Sequence, residues 1–163
     1  MAETDEHRSV ESVPSSLSLI EASARESGGR PSSAVLIVSS IRQDREALCR
    51  ILRRTHCAYT ASSYCAAVDR LNQGGIAIVL WDCDLPDGTW LDFLTLIAES
   101  PDAPLLIVAS RLADERLWAE VLNLGGFDVL AKPFESREVE HVVKTAWVCR
   151  RDPVITRHFA GGA

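Results

Sequence analysis

The chain has 163 residues and a formal net charge of −6, with 47% hydrophobic and 25% charged residues. That is ordinary globular usage, enough for one domain with tails and short for two. The negative balance argues against general affinity for nucleic-acid phosphates, which depends on clustered Lys and Arg; the local basic run Arg150, Arg151, Arg157 and His158 reads as a solvated tail.

Residues 1–32 are rich in Ser, Glu and Gly and end in Gly28-Gly29-Arg30-Pro31, the composition of a flexible, disordered leader. Leu17, Ile20 and Ala24 fall at helical spacing, which suits either a short partner-docking helix or a frayed tail. The start carries neither a basic stretch nor an apolar run of signal-peptide length. No segment approaches the roughly 20 apolar residues that a membrane-spanning helix needs. Cys49, Cys57, Cys65, Cys83 and Cys149 lack close CxxC pairing, so they read as reduced, mostly buried thiols. The expectation is a soluble, cytoplasmic chain with no membrane partner.

From Ala34 the texture changes. Val35-Leu36-Ile37-Val38 is a short apolar run of the kind found in strands covered on both faces. Asp44–Arg54 carries one apolar helical stripe, Ala47, Leu48, Ile51 and Leu52. Ala58–Ala61 is a weaker strand, and Ser63–Asn72 a helix stopped by Gly74-Gly75. Ile76–Trp81 is a strong strand, Trp90–Glu99 a helix punctuated by Pro101 and Pro104, and Leu105–Val108 the third strong strand. Asp114–Leu124 is a helix ending at Gly125-Gly126, where a left-handed cap wants glycine. Asp128–Ala131 is a brief strand, and Ser136 to about Arg150 a closing helix with Val139, Val142, Val143 and Ala146 inward. This βα alternation predicts an α/β fold: a five-stranded parallel sheet with helices on both faces over residues 33–150, followed by a tail at 151–163.

In such sheets the working site lies at the carboxyl ends of the strands. Those ends carry Ser39 and Ser40, then Asp82, then Ala109 and Ser110, then Lys132. A carboxylate beside an ammonium suits phosphoryl transfer, the first attacking phosphorus and the second neutralising the oxygens of the transferred group.

The run Val79-Leu80-Trp81-Asp82-Cys83-Asp84-Leu85-Pro86-Asp87-Gly88 resembles the third-strand motif of response-regulator receiver domains, the CheY-like family with a flavodoxin-like fold. Gly125-Gly126-Phe127-Asp128-Val129-Leu130-Ala131-Lys132-Pro133-Phe134 resembles that family's closing signature. With the apolar first strand, the resemblance covers residues 34–149. It implies Asp82 as phosphoryl acceptor, Lys132 as the phosphate-contacting lysine, a cis bond before Pro133, and Asp84 where the family ligates metal through a backbone carbonyl.

The chain departs from the pattern at several points. Ser39 and Ser40 stand where the family places the acidic pair that holds Mg²⁺, so the implied metal site, Asp82 with Asp84, is weak. Asp84 or Asp44 could supply the missing charge through its side chain, which the sequence leaves open. The family's Thr or Ser at the end of strand four aligns with either Ala109 or Ser110, and Ser110 is the hydroxyl candidate. The strand-five aromatic is Val129, and the loop glycine eight residues after the acceptor is Trp90, either a docking anchor or a packing residue.

The resemblance implies a non-enzymatic, stand-alone receiver of a two-component phosphorelay. It would take a phosphoryl group on Asp82 from a sensor histidine kinase or phosphotransfer protein and act on a downstream protein, or dimerise, through the face of helix four, strand five and helix five. The competing reading is a pseudo-receiver that binds partners without phosphorylation, favoured by Ser39, Ser40 and Val129. An enzyme on the same sheet is disfavoured, because the chain has neither GxSxG nor GxGxxG, and His7, His56, His141 and His158 read as lying in tails or on helices.

Overall fold

The computed structural model describes residues 34–100 and 102–151. The leader at 1–32, its helical spacing and, apart from Arg151, the tail at 151–163 lie outside the described residues. In chain order the elements are β1 (Ala34–Val38), α1 (Arg42–Leu52), β2 (Ala58–Ala61), α2 (Tyr64–Asn72), β3 (Ile76–Asp82), α3 (Trp90–Ile97), β4 (Leu105–Ser110), α4 (Glu115–Asn123), β5 (Asp128–Ala131) and α5 (Ser136–Arg151). The strands form one parallel sheet in the order β2-β1-β3-β4-β5.

The apolar strand runs are buried on both sides because alternate side chains enter two separate cores. Leu36, Val38, Val79, Trp81, Leu106 and Val108 face α2, α3 and α4, meeting Ala67, Phe93 and Val121. Val35, Ile37, Leu80, Ile107, Ala109 and Leu130 face α1 and α5, meeting Leu48, Leu52, Val139, Val143 and Ala146. This alternation carries past the strands and decides which way each rim residue points.

Helix starts follow local capping chemistry. Ser63 and Asp114, which the periodicity had placed inside helices, are N-caps instead, accepting from the backbone N–H of Ala66 and Leu117. Thr89 and Asp92 form a reciprocal capping box at the start of α3. At the far end of α4 the chain turns through Gly125 at φ +101°, the left-handed conformation expected there. Gly88 is needed for a different reason: a Cβ there would lie 2.2 Å from Cδ2 of Tyr64.

One open alternative closes and two readings change. Trp90 is only 8% exposed and packs in the core at the start of α3, so it seals the loop after β3 and offers no docking anchor. Of the five cysteines only Cys149 is buried, while Cys57 and Cys65 are exposed; no disulfide joins them. His56 lies in the bend before β2, not on a helix, edge-on to Trp147. No helix of the described residues is long and apolar enough to cross a membrane.

Candidate functional site

Chain order reverses beside β1, which lies between β2 and β3, and β3 continues the sheet toward β4 and β5. The carboxyl ends of β1 and β3 therefore lie side by side at the switch in strand order, where such sheets hold their sites. Asp82 closes β3 there, 2% exposed, with Ser39 equally buried at the end of β1. The Ser39 hydroxyl donates to Asp82 Oδ2 at 2.6 Å. The Lys132 ammonium, just past β5, donates to Oδ1 at 2.5 Å, and the Asp84 backbone N–H adds a third donor to Oδ1 at 3.0 Å. The peptide bond from Lys132 to Pro133 is cis, as the resemblance implies.

The ammonium has a second partner. Asp44, in the first turn of α1, brings Oδ2 to 2.8 Å from Lys132 Nζ. The lysine side chain is 5% exposed, so one buried cation is shared between two carboxylates. Behind this group Arg45 donates to the Ser39 carbonyl at 2.6 Å, and Ser39 Oγ accepts from the Ile41 N–H. The residues Ser39 to Arg45 thus form a small collar around the acid.

Electrostatics follow from this pairing. Burial alone would push the Asp82 carboxyl up, but the bonds from Lys132, Ser39 and the Asp84 N–H, with the lysine's charge, outweigh it and hold the carboxyl below its ordinary value. Burial pulls Lys132 down, and its two carboxylate partners more than offset that, leaving it raised. Both groups are charged at neutral pH. Cys83 goes the other way: burial, together with the charges of Asp82 and Asp84, raises its thiol despite a bond from Ser110, so it is a poor nucleophile.

Strand register separates the two candidates at the end of β4. Asp82 is the direct lateral partner of Ala109, and lateral partners point to the same face. The methyl of Ala109 therefore stands beside the acid. Ser110 points to the opposite face, where its hydroxyl meets Cys83 and accepts from the Leu112 N–H. Ser40 is exposed, and Asp84 turns outward, its carboxylate 3.9 Å from Arg111.

The Mg²⁺ implied by the resemblance does not fit this donor set. Such an ion needs several hard oxygens, usually with one or two carboxylates free to bind it. Here both Asp82 oxygens already accept bonds, Ser39 is donating, and Asp44 is engaged by the lysine. Among the described residues no three acidic, histidine or cysteine side chains converge as a metal site.

Sequence reasoning brought Asp82 and Lys132 to one rim and saw Ser39 as a loss of charge, but missed that its hydroxyl becomes a partner of the acid. Asp44 was named only as an acid that could make up the missing charge, and its pairing with Lys132 was missed. The available signal was its place in the first helical turn after β1, which by topology faces the same rim.

Comparison with known proteins agrees with the architecture. Residues 35–144 match the model of the response regulator receiver domain. The phosphate regulon transcriptional regulatory protein PhoB of Klebsiella pneumoniae is 29% identical over 114 residues, 68% of this chain and 49% of PhoB. The chain thus spans about half the length of that curated relative or less of others. The beryllofluoride-activated NtrC4 receiver domain dimer superposes with a TM-score of 0.67 at 21% identity, covering 72% of this chain and 98% of that one. A response regulator receiver domain protein from Clostridium thermocellum gives 0.64 at 18% identity, covering 77% and 96%. With the parallel five-stranded sheet and the Asp82–Lys132 rim already in place, the family match over most of the chain settles the assignment: the chain belongs to the response regulator receiver domain family.

Proposed function

We propose that this chain is a receiver of two-component signalling that works as a protein-binding module without a phosphoryl cycle, its acid site kept as a self-paired ionic cluster. One observation carries this reading. Both oxygens of Asp82 are engaged, one by Ser39 and one by Lys132, and Lys132 is itself claimed by Asp44. A phosphoryl acceptor presents an oxygen lone pair to phosphorus and sheds charge onto a cation as the new group arrives, and both demands compete with the bonds already made here. Here the nucleophile is buried and bonded, and the acids that would anchor a divalent cation are Ser39 and Ser40. Ala109 beside the acid and Val129 in β5 leave the family's hydroxyl-and-aromatic relay without its parts. The module has no catalysis of its own, and its output is contact with a downstream protein.

A second reading keeps phosphorylation of Asp82 by a sensor histidine kinase or phosphotransfer protein. It is favoured by the ionised state of Asp82 and by the ammonium at 2.5 Å, placed to neutralise a phosphoryl oxygen. In that case Asp84, through its backbone, and Asp82 would contact a weakly held Mg²⁺, and Ser110 would have to turn from Cys83.

The two readings separate by intact mass. The protein is incubated with a small acyl phosphodonor and Mg²⁺, beside an Asp82→Asn control. The expected result is unchanged mass and unchanged partner binding in both. An adduct of one phosphoryl group on the wild type, absent from Asp82→Asn, would overturn the proposal in favour of the second reading.

A further inference from the structure

On the face made by α4, β5 and the start of α5, away from the acid cluster, lies a cavity of about 240 Å³. Its floor is Val129 and Ala131, and one wall is the indole of Trp118, which is 51% exposed. The remaining lining includes three carboxylates, Asp114, Glu115 and Glu138, and no basic side chain. Trp118 is held in place, since its Nε1–H donates to Asp128 Oδ1 at 3.1 Å, and the same oxygen accepts from the Val129 N–H.

We infer that this cavity receives a lysine or arginine side chain from a partner protein. The choice of occupant follows from charge. An aromatic face beside carboxylates attracts a cation through the ring's quadrupole and through opposite charge, while its apolar floor accepts the methylene stem. A fixed, half-exposed Trp is also the residue type that anchors interfaces at low ordering cost. A second copy pressing this same pocket face to face would set three carboxylates against three, so the occupant is a different protein presenting a basic residue. The inference deepens the binding-module reading and rests on it for the signalling role, but the pocket itself can be tested apart from phosphate.

The probes are two short capped peptides of identical apolar sequence, one with a central arginine and one with citrulline in its place. They are titrated into the full chain without phosphodonor or metal, following the Trp118 indole resonance and the amides of Val129 and Ala131 by NMR. The arginine peptide is expected to shift these signals saturably, with the citrulline peptide at least tenfold weaker. Trp118→Ala and the pair Glu115→Gln with Glu138→Gln should each weaken the arginine peptide about tenfold while the other amides stay in place. Equal shifts from both peptides, or no shift at millimolar peptide, would overturn the inference. Shifts that follow protein concentration without peptide would also overturn it, naming a second copy as occupant. Arginine-selective binding that appears only after beryllofluoride is added would uphold the pocket and overturn the phosphate-independent reading instead.

Discussion

Asp44 on α1 and Lys132 beyond β5 meet across 2.8 Å, although they come from opposite ends of the domain's sequence. This contact divides the lysine's charge between Asp44 and Asp82 and joins three elements, α1, β3 and β5, at one buried point. Removing the cation would leave two carboxylates, one of them fully buried, facing each other without compensation. Lys132→Met is therefore expected to cost about 3–5 kcal/mol, the range for breaking a buried ion pair from one side. Urea denaturation would read it as a lower midpoint at unchanged slope. Asp82→Asn in the same background should recover much of the loss, because it removes the acid that the missing cation strands.

The pH dependence has a definite sign. Asp82 is held below its ordinary value, so its contribution to stability is present above about pH 4 and is lost as pH falls through the lower, folded value. Lys132 is raised, so its contribution is complete below about pH 10 and lost as pH rises beyond. Between these limits neither group titrates. Unfolding free energy measured from pH 2 to 7 should fall on the acid side, and Asp82→Asn should lessen that slope by up to one proton, about 1.4 kcal/mol per pH unit. An unchanged acid limb in Asp82→Asn would assign the loss to other carboxylates.

Metal binding should be recoverable by restoring charge. Ser39→Asp removes the 2.6 Å bond to Asp82 and places a second buried carboxylate beside it, so the metal-free variant is expected to lose about 1–3 kcal/mol. With Ser40→Asp added, Mn²⁺ or Mg²⁺ should bind saturably and return part of that stability through linkage. Calorimetric titration of the double variant and the wild type checks this directly. Equal metal affinity in the two would mean that Lys132 and Asp44, not the serine pair, set the cation preference.

Much of the fold was legible because parallel strands buried on both faces leave an unmistakable trace: short apolar runs such as Val35–Val38 and Ile76–Trp81, spaced by amphipathic helices. β2, with only Ala61 buried, was legible more from its place between two helices than from its own residues. Asp82 and Lys132 were legible because strand ends converge by topology. The direction of a side chain at a strand end was not. Whether Ala109 or Ser110 stands beside Asp82 depends on a single residue of register, and a slip of one reverses the face. The Asp44–Lys132 pair was half legible for a related reason: the place of Asp44 in the first turn after β1 puts it near the rim, but its partner there depends on how that turn lies over the sheet.

Gly88 gives a last test of how the loop after β3 is held over the acid. A Cβ on this residue would come within 2.2 Å of Tyr64 Cδ2 and 2.7 Å of its Cγ, far inside contact distance. Tyr64 is not free to withdraw: its ring meets Trp81 edge-on at 5.7 Å and Phe93 at 6.4 Å, and its backbone N–H donates to Asp87. Gly88→Ala must therefore move the loop or the aromatic cluster, with an expected cost of about 1–3 kcal/mol, typical of overpacking. Near-ultraviolet circular dichroism should change with it, because Trp81 lies next to the disturbed ring. Pairing Gly88→Ala with Tyr64→Ala should remove most of the added penalty, and full additivity of the two costs would show that the clash is relieved elsewhere.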